Sequence, residues 1–401
     1  MKSLLPKRLV LVLLFCLLLT SCKGGGGSLA GGGIDGTGIM SAGVVSAFGS
    51  IIVNGTEFDT SNAVVVVKGE EIGVGDDDVQ ANLDIGMVVT VEGRIKEDGS
   101  AVADRVIFSN NVVGPIENID DKDATTKEIE VLGQIVVVNV ITKLKETSFD
   151  TIIEDDVIEV SGYRDFDGKI RATLIEKTGR FIAGSIVEVT GFVKNLNLGL
   201  ETFEINGLTV NFALIATDLP EGIPAEGLFV EVEGTLDTPG GEVIATEIEI
   251  GDELGGDDGD EFEIMGFVTE IISDVDIIEF KVGNQVVHAD PDSVDFVDGN
   301  QDDIILGVKL EAEGSLEGGI LFAWEIEFWK PDQIEVEGFV TEVVSETEFT
   351  VDEQDVQTDK ETVFEPPELE IAVGLKLEVK GVPVDIEHSV LVADKVSLEE
   401  D

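Results

Sequence analysis

Cysteine, histidine and tyrosine are nearly missing from this 401-residue chain, and basic residues are scarce. Cys16 lies within an N-terminal apolar run and Cys22 follows it directly, so a mature fold can have no internal disulfide. Two histidines, His288 and His388, and one tyrosine, Tyr163, leave few groups able to titrate or attack near neutral pH, which argues against an enzyme. Lysine and arginine total 25 against 83 aspartates and glutamates, a net charge of −58. Removing residues 1–21, which hold Lys2, Lys7 and Arg8, makes it −61. That charge repels phosphate and anionic head groups, so neither a nucleic-acid partner nor a basic membrane-binding patch is expected. There is no G-x-S-x-G, no usable Cys–His pair, no phosphate-binding G-x-x-x-x-G-K-[ST] loop and no H-E-x-x-H. Sustained helical periodicity is absent too. Hydrophobic residues still make up 43% of the chain, too many for a disordered acidic tail, so it should fold with its acids on solvent faces.

The N-terminus reads as an address and a tether. Three positive charges precede an apolar core of eleven residues, Leu9 to Leu19, which is too short to span a bilayer and fits a secretory signal. The run ends Leu19-Thr20-Ser21-Cys22, which looks like the bacterial lipoprotein signal. That resemblance implies cleavage after residue 21 and lipid attachment, palmitate included, at Cys22. Lys23 is not the aspartate associated with inner-membrane retention, so by the same resemblance the chain travels to the outer membrane. Residues 22–38 are glycine-rich and behave as a flexible spacer.

Four landmarks then recur in the same order five times. A glycine opens an apolar pair at Gly43, Gly114, Gly191, Gly266 and Gly338, at separations of 71, 77, 75 and 72 residues. A hairpin follows, clearest as Ile51–Phe58 and Phe203–Val210, where Asn-Gly sits between alternating apolar residues. The third landmark is the strand frame G-x-x-[VL]-x-[VA]-x-G, at Gly86–Gly93, Gly227–Gly234, Gly307–Gly314 and Gly374–Gly381. A fifth copy, Asp155–Gly162, lacks only its leading glycine. The fourth is an alanine with an aliphatic residue three later: Ala103/Val106, Ala172/Ile175, Ala245/Ile248, Ala323/Ile326 and Ala393/Val396.

Each repeat reads as about five short strands with an apolar face inward and carboxylates outward. The expected fold is all-β, a tandem array of five small OB-like barrels. The expected modules are residues 39–110, 111–179, 180–251, 261–330 and 331–401, with an acidic linker at 252–260. Short junctions predict a semi-extended rod. The pattern G-x-V … [FI]-x-[VI]-x-G … G-x-x-V-x-V-x-G … A-x-x-[IV] resembles the bacterial domain-of-unknown-function family 5666, over roughly residues 39–401. The resemblance implies a tandem β fold in a secreted protein or lipoprotein. It carries no catalytic residues.

Only carboxylate clusters suggest chemistry: Asp76–Asp78, Asp120–Asp123, Glu154–Asp156, Asp257–Glu261 and the loop Asp290, Asp292, Asp295, Asp298, Asp302, Asp303. Aspartates at alternate loop positions can supply calcium's oxygen ligands, and Asp290-Pro291-Asp292 begins such a spacing ahead of Asp295 and Asp298, although no segment fits the twelve-residue EF-hand loop. A solvated acidic loop is the plainer account. Trp324 and Trp329 flank Glu325–Phe328 on opposite strand faces, which favours packing or module contact over a stacking platform. The leading expectation is an envelope lipoprotein without catalytic activity or cofactor, its repeats serving as a binding or spacer array for an envelope or extracellular partner. A calcium-rigidified surface or adhesion protein is the alternative, and an envelope hydrolase the weaker one.

Overall fold

A computed structural model of the chain describes residues 37–48, 50–96, 98–217, 219, 223–251, 259–275, 277–352, 354–385 and 390–399. The expected signal, Cys22 and most of the tether lie outside the described residues, as do His388 and residues 252–258 of the linker. The first strand begins at Thr37, two residues inside the expected tether.

The module at residues 261–330 shows how the repeat folds. Its opening strand, Glu261–Val275, pairs antiparallel with Lys309–Glu317 through its first half and with Ile277–Val282 through its second. The hairpin partner Gln285–Ala289 runs parallel to the closing strand Ile320–Trp329, which returns antiparallel to Lys309–Glu317. With strands numbered along the module, the order is 1-2-3-5-4-1, a closed five-stranded barrel of OB connectivity. The same ring closes in the modules beginning at Thr37, Val112 and Ile334. In the third module the opening strand is interrupted at Val193, between Ser185–Phe192 and Lys194–Asn197. The alanine–aliphatic landmarks sit in or against these cores, with Ala172, Ile175, Ala245 and Ile248 in one cluster that spans the second and third modules.

The frame glycines answer to two separate constraints. The leading one takes φ of +102° at Gly86, +80° at Gly227, +81° at Gly307 and +92° at Gly374, and Asp155 holds +65° in their place. Aspartate is one of the few side chains that tolerates this region, which explains the single exception. The closing one lies at a register slip against the closing strand. A Cβ at Gly93, Gly162 or Gly314 would stand 2.2 Å from a carbonyl oxygen of that strand, at Gly381 2.3 Å, and at Gly234 2.5 Å. The hairpin turns behave as Asn-Gly requires, with φ of 51° and 73° at Asn54-Gly55 and 47° and 92° at Asn206-Gly207.

One element was not foreseen and two expectations are corrected. Asp76–Asn82 is a seven-residue helix; its acids occupy the first turn, Asp78 Oδ2 accepts from the Val74 amide at 2.7 Å, and Val79 is buried. The modules do not form a semi-extended rod. The opening strands of the first and fourth modules pair in parallel, from Ile39↔Glu261 to Ala42↔Ile264, so modules remote in sequence share one sheet. Nor are all acids on solvent faces: Asp156, Asp165, Glu188, Glu263 and Glu337 are buried. For Glu188 and Glu263 these two corrections share a cause: a carboxylate that points out of its own barrel becomes internal once another module covers that face, Glu188 meeting Lys68 and Glu263 meeting Ser41 of the first module. Asp156 and Asp165 are held within the second module, by Lys177 and Arg180 and by Arg171.

Candidate functional site at the module junction

Parallel pairing of two opening strands brings four barrels to one point. Tyr163 of the second module packs with Met265, Phe267 and Trp329 of the fourth, and Val44 and Val88 of the first close the cluster. Polar contacts cross the same seams. Ser41 Oγ donates to Glu263 Oε2 at 2.9 Å, the Val88 amide to Ser161 Oγ at 2.8 Å, and Asn139 Nδ2 to Asp332 Oδ1 at 2.7 Å. Lys309 Nζ donates to the Gln333 carbonyl at 2.9 Å. Lys380 of the fifth module reaches Glu327 of the fourth at 2.7 and 2.8 Å and lies 4.4 Å above the Trp329 ring.

The junction is charged although it is buried. Burial pushes Glu263 up to about 7 and Glu335 up to about 8, and it pulls Lys309 down to about 8. Glu311 rises well above the carboxylate range, from burial and from sharing a hydrogen bond with Glu263. Burial opposes the charge on Lys380 as well, yet Glu335, Glu327 and Glu378 hold it above its ordinary value. Two lysines thus serve several carboxylates, and protons make up the difference near neutral pH.

A cavity of about 110 Å³ lies at this junction, lined by Val44, Asn54, Ile141, Tyr163, Trp329 and Glu335 among others. Three of its lining residues carry a buried atom without a hydrogen-bond partner: Asn54 Oδ1, the Tyr163 hydroxyl and Trp329 Nε1. The cavity is large enough for about three waters, each of which needs polar partners of this kind.

A second feature lies on the seam of the second, third and fourth modules. Arg164 ends the strand Asp156–Arg164 and donates through Nη1 to Gln134 Oε1 at 3.0 Å and through Nη2 to the Thr190 carbonyl at 2.7 Å. Its Nε is buried and has no partner. Burial lowers the guanidinium to about 10, so it stays protonated at neutral pH.

The acidic loop is built differently from a ligand cage. Asp290 caps its own turn, its Oδ1 accepting from the Asp292 amide at 3.0 Å. Asp295 lies in the short strand Asp295–Val297 beside the closing strand, and Asp298 has φ of +56°. Asp303 is engaged by Asn300 in a capping box. Among the described residues no three carboxylate, histidine or cysteine groups converge so as to hold a metal ion. His288 sits on its strand against Glu279 at 3.1 Å and edge-on to Phe322. The tryptophans divide as their strand faces require: Trp329 is buried at the junction, whereas Trp324 is exposed, the extra residue at the Gly314 bulge.

Sequence reasoning missed the junction. Its traces were present: largely apolar runs such as Ile39–Val45 and Phe262–Val268, each interrupted by one polar residue (Ser41, Glu263) and buried on both faces, and lysines at Lys309 and Lys380 in an acid-rich strand frame. Nothing in the repeat says which module meets which.

A family profile described as a domain of unknown function (DUF5666) matches five times, at residues 37–107, 113–176, 183–249, 265–327 and 337–397. No curated protein matches the chain.

Proposed function

The chain belongs to the DUF5666 family, and from that premise we propose that it is a non-catalytic binding scaffold tethered to the bacterial cell envelope. The observation that carries the reading is the shared sheet of the first and fourth modules, with the buried polar junction around it. Flexibly strung modules would give reach. Modules locked together give fixed faces, which is the need of a binding platform more than of a spacer. Lack of a catalytic role is supported by the poverty in histidine and cysteine, and by the use of His288 against Glu279 and Phe322. The −58 charge supports a partner other than nucleic acid.

Anchoring rests on Leu19-Thr20-Ser21-Cys22 and on the glycine-rich segment behind it. We place lipid on Cys22 and the folded unit at the outer membrane, held a short tether away. Radiolabelled palmitate should enter the wild-type chain and not Cys22→Ser; equal labelling of both sinks the anchor.

Replacing the folded unit by an unrelated rigid domain of similar length separates scaffold from spacer. A spacer tolerates the exchange and restores the envelope phenotype of a deletion strain. A binding scaffold does not, and restoration refutes the reading. Within the protein, deleting residues 261–330 should abolish amide-exchange protection at alternate positions of Ile39–Ala42, those whose amides point to the removed strand, and spare those bonded to Val88–Ile95. Unchanged protection there would show that the modules stand apart.

A further inference from the structure

The fifth module is attached differently from the other four. The first and fourth share one sheet through Ile39–Ala42 and Glu261–Ile264, and the second and third share another, where Val112–Asp121 pairs with Ser185–Phe192. Among the described residues the strands of the fifth, from Ile334–Ser345 to Leu391–Leu398, pair only with one another, and its core cluster holds only its own residues. No backbone ladder ties it to a neighbour. Side chains at the seam and the short link at residues 330–333 do that work.

Those side chains are ionisable, and acids outnumber bases among them. Lys380 of the fifth module serves three carboxylates: Glu327 of the fourth at 2.7 Å, and Glu335 and Glu378 of its own module at 3.6 Å each. Each of the four keeps a fifth or less of its side chain exposed. Glu335 stands in the middle. Lys380 and Glu378 face it from the neighbouring strand, Glu311, Glu327 and Lys309 from the fourth module, and the neutral Asn54-Gly55 turn from the first. Lys143 and Tyr163 of the second module border the same cavity, and Glu337 on its own strand is taken by Lys376 at 2.6 Å. Lys380 meets both oxygens of Glu327, and Lys309 donates to the Gln333 carbonyl, so neither lysine is left to Glu335 alone. Burial first, then Glu378, Glu311 and Glu327, let Glu335 keep a proton up to about 8, against 4.5 in water.

We propose that this seam is a proton-operated latch. It is closed while Glu335 is a neutral acid, and it opens in mildly alkaline medium, where a third carboxylate crowds one lysine and the fifth module swings away on residues 330–333. The closed seam holds a proton that the open one releases, so the help to closure is full below 4.5 and is lost as the pH rises to about 8. A shift of that width weakens closure roughly a thousandfold. Lys309 acts in the opposite sense: burial lowers it from 10.5 to about 8, so between those values closure is helped again. Opening is therefore greatest near pH 8 and not in strong alkali. The latch concerns how the modules are held and does not depend on the scaffold reading.

The test uses the chain from Lys23, which holds no cysteine, with fluorophores on Ser293→Cys and Ser345→Cys, exposed positions in the fourth and fifth modules. Energy transfer should be high at pH 6 and fall reversibly by pH 8.5. A second pair, on Asn62→Cys and Ser293→Cys across the shared sheet of the first and fourth modules, should not change. Glu335→Gln should keep the fifth module closed at pH 8.5. Glu311→Gln, which removes a facing acid, should move the fall to higher pH and covers the case in which Glu335→Gln fails to fold. Transfer unchanged between pH 6 and 8.5 in the wild type, an equal fall in the folded variants, or a parallel fall in the second pair each overturns the proposal.

Discussion

Replacing Glu263 by glutamine removes a buried charge while keeping an acceptor for Ser41 Oγ and adding a donor for Glu311. Burial raises this carboxyl from 4.5 to about 7. At about 1.36 kcal/mol per unit, the charged form is disfavoured in the folded chain by about 3 kcal/mol. The sign follows from proton counting. Between those two values the folded chain holds a proton that the unfolded chain has released. The stability present below 4.5 is therefore lost as the pH rises to about 7 and stays lost above it. Unfolding entropy of about 2.1 cal/mol/K per residue over Asp35–Asp401 turns 3 kcal/mol into roughly 4 °C. Calorimetry of the chain from Lys23 should find Glu263→Gln melting about 4 °C above wild type at pH 8.5, and level with it at pH 4.5. A shift of the same size at both pH values, or a lower melting point at pH 8.5, would refute the electrostatic account of the junction.

The bulge glycines predict a sharper loss: Gly93→Ala should cost more than about 2 kcal/mol by denaturant titration, because its Cβ meets the Val102 carbonyl oxygen at 2.2 Å. Asp155→Gly should instead be neutral or stabilising by up to about 1 kcal/mol, since φ of +65° suits glycine and the Asp155–Arg180 contact at 3.8 Å is exposed; a loss larger than that would show that the carboxylate has another task. Tyr163→Phe should change stability by less than about 1 kcal/mol, because the hydroxyl has no partner, whereas Tyr163→Ala should cost about 3–5 kcal/mol by emptying the junction. Melting temperature should respond alike to calcium and to magnesium at matched ionic strength, because the acids Asp290, Asp292, Asp295 and Asp298 do not converge; a rise of many degrees with calcium alone would restore the calcium reading.

Much of the single barrel was legible in the residues. Alternation set which side chains face inward, Asn54-Gly55 and Asn206-Gly207 demanded tight turns, and the frame glycines marked a positive φ and a close carbonyl. These are local constraints, each settled within a few residues or one strand pair. Recurrence five times over therefore announced five barrels. The helix Asp76–Asn82 escaped notice because seven residues hold too few turns for a periodic signal.

What tertiary structure alone decided is which barrel meets which. A strand that is buried on one face in isolation reads the same as one buried on both, apart from small hints such as Ile39–Val45 and Phe262–Val268. Pairing of Ile39–Ala42 with Glu261–Ile264 joins segments more than 200 residues apart, and no local rule selects that partner. Once it is made, outward carboxylates such as Glu263 and Glu311 become internal, and Trp329 and Tyr163 meet. The sequence by itself determined the repeat, because the repeat is a short-range code; the junction and its charges came from packing, which is long-range and cooperative.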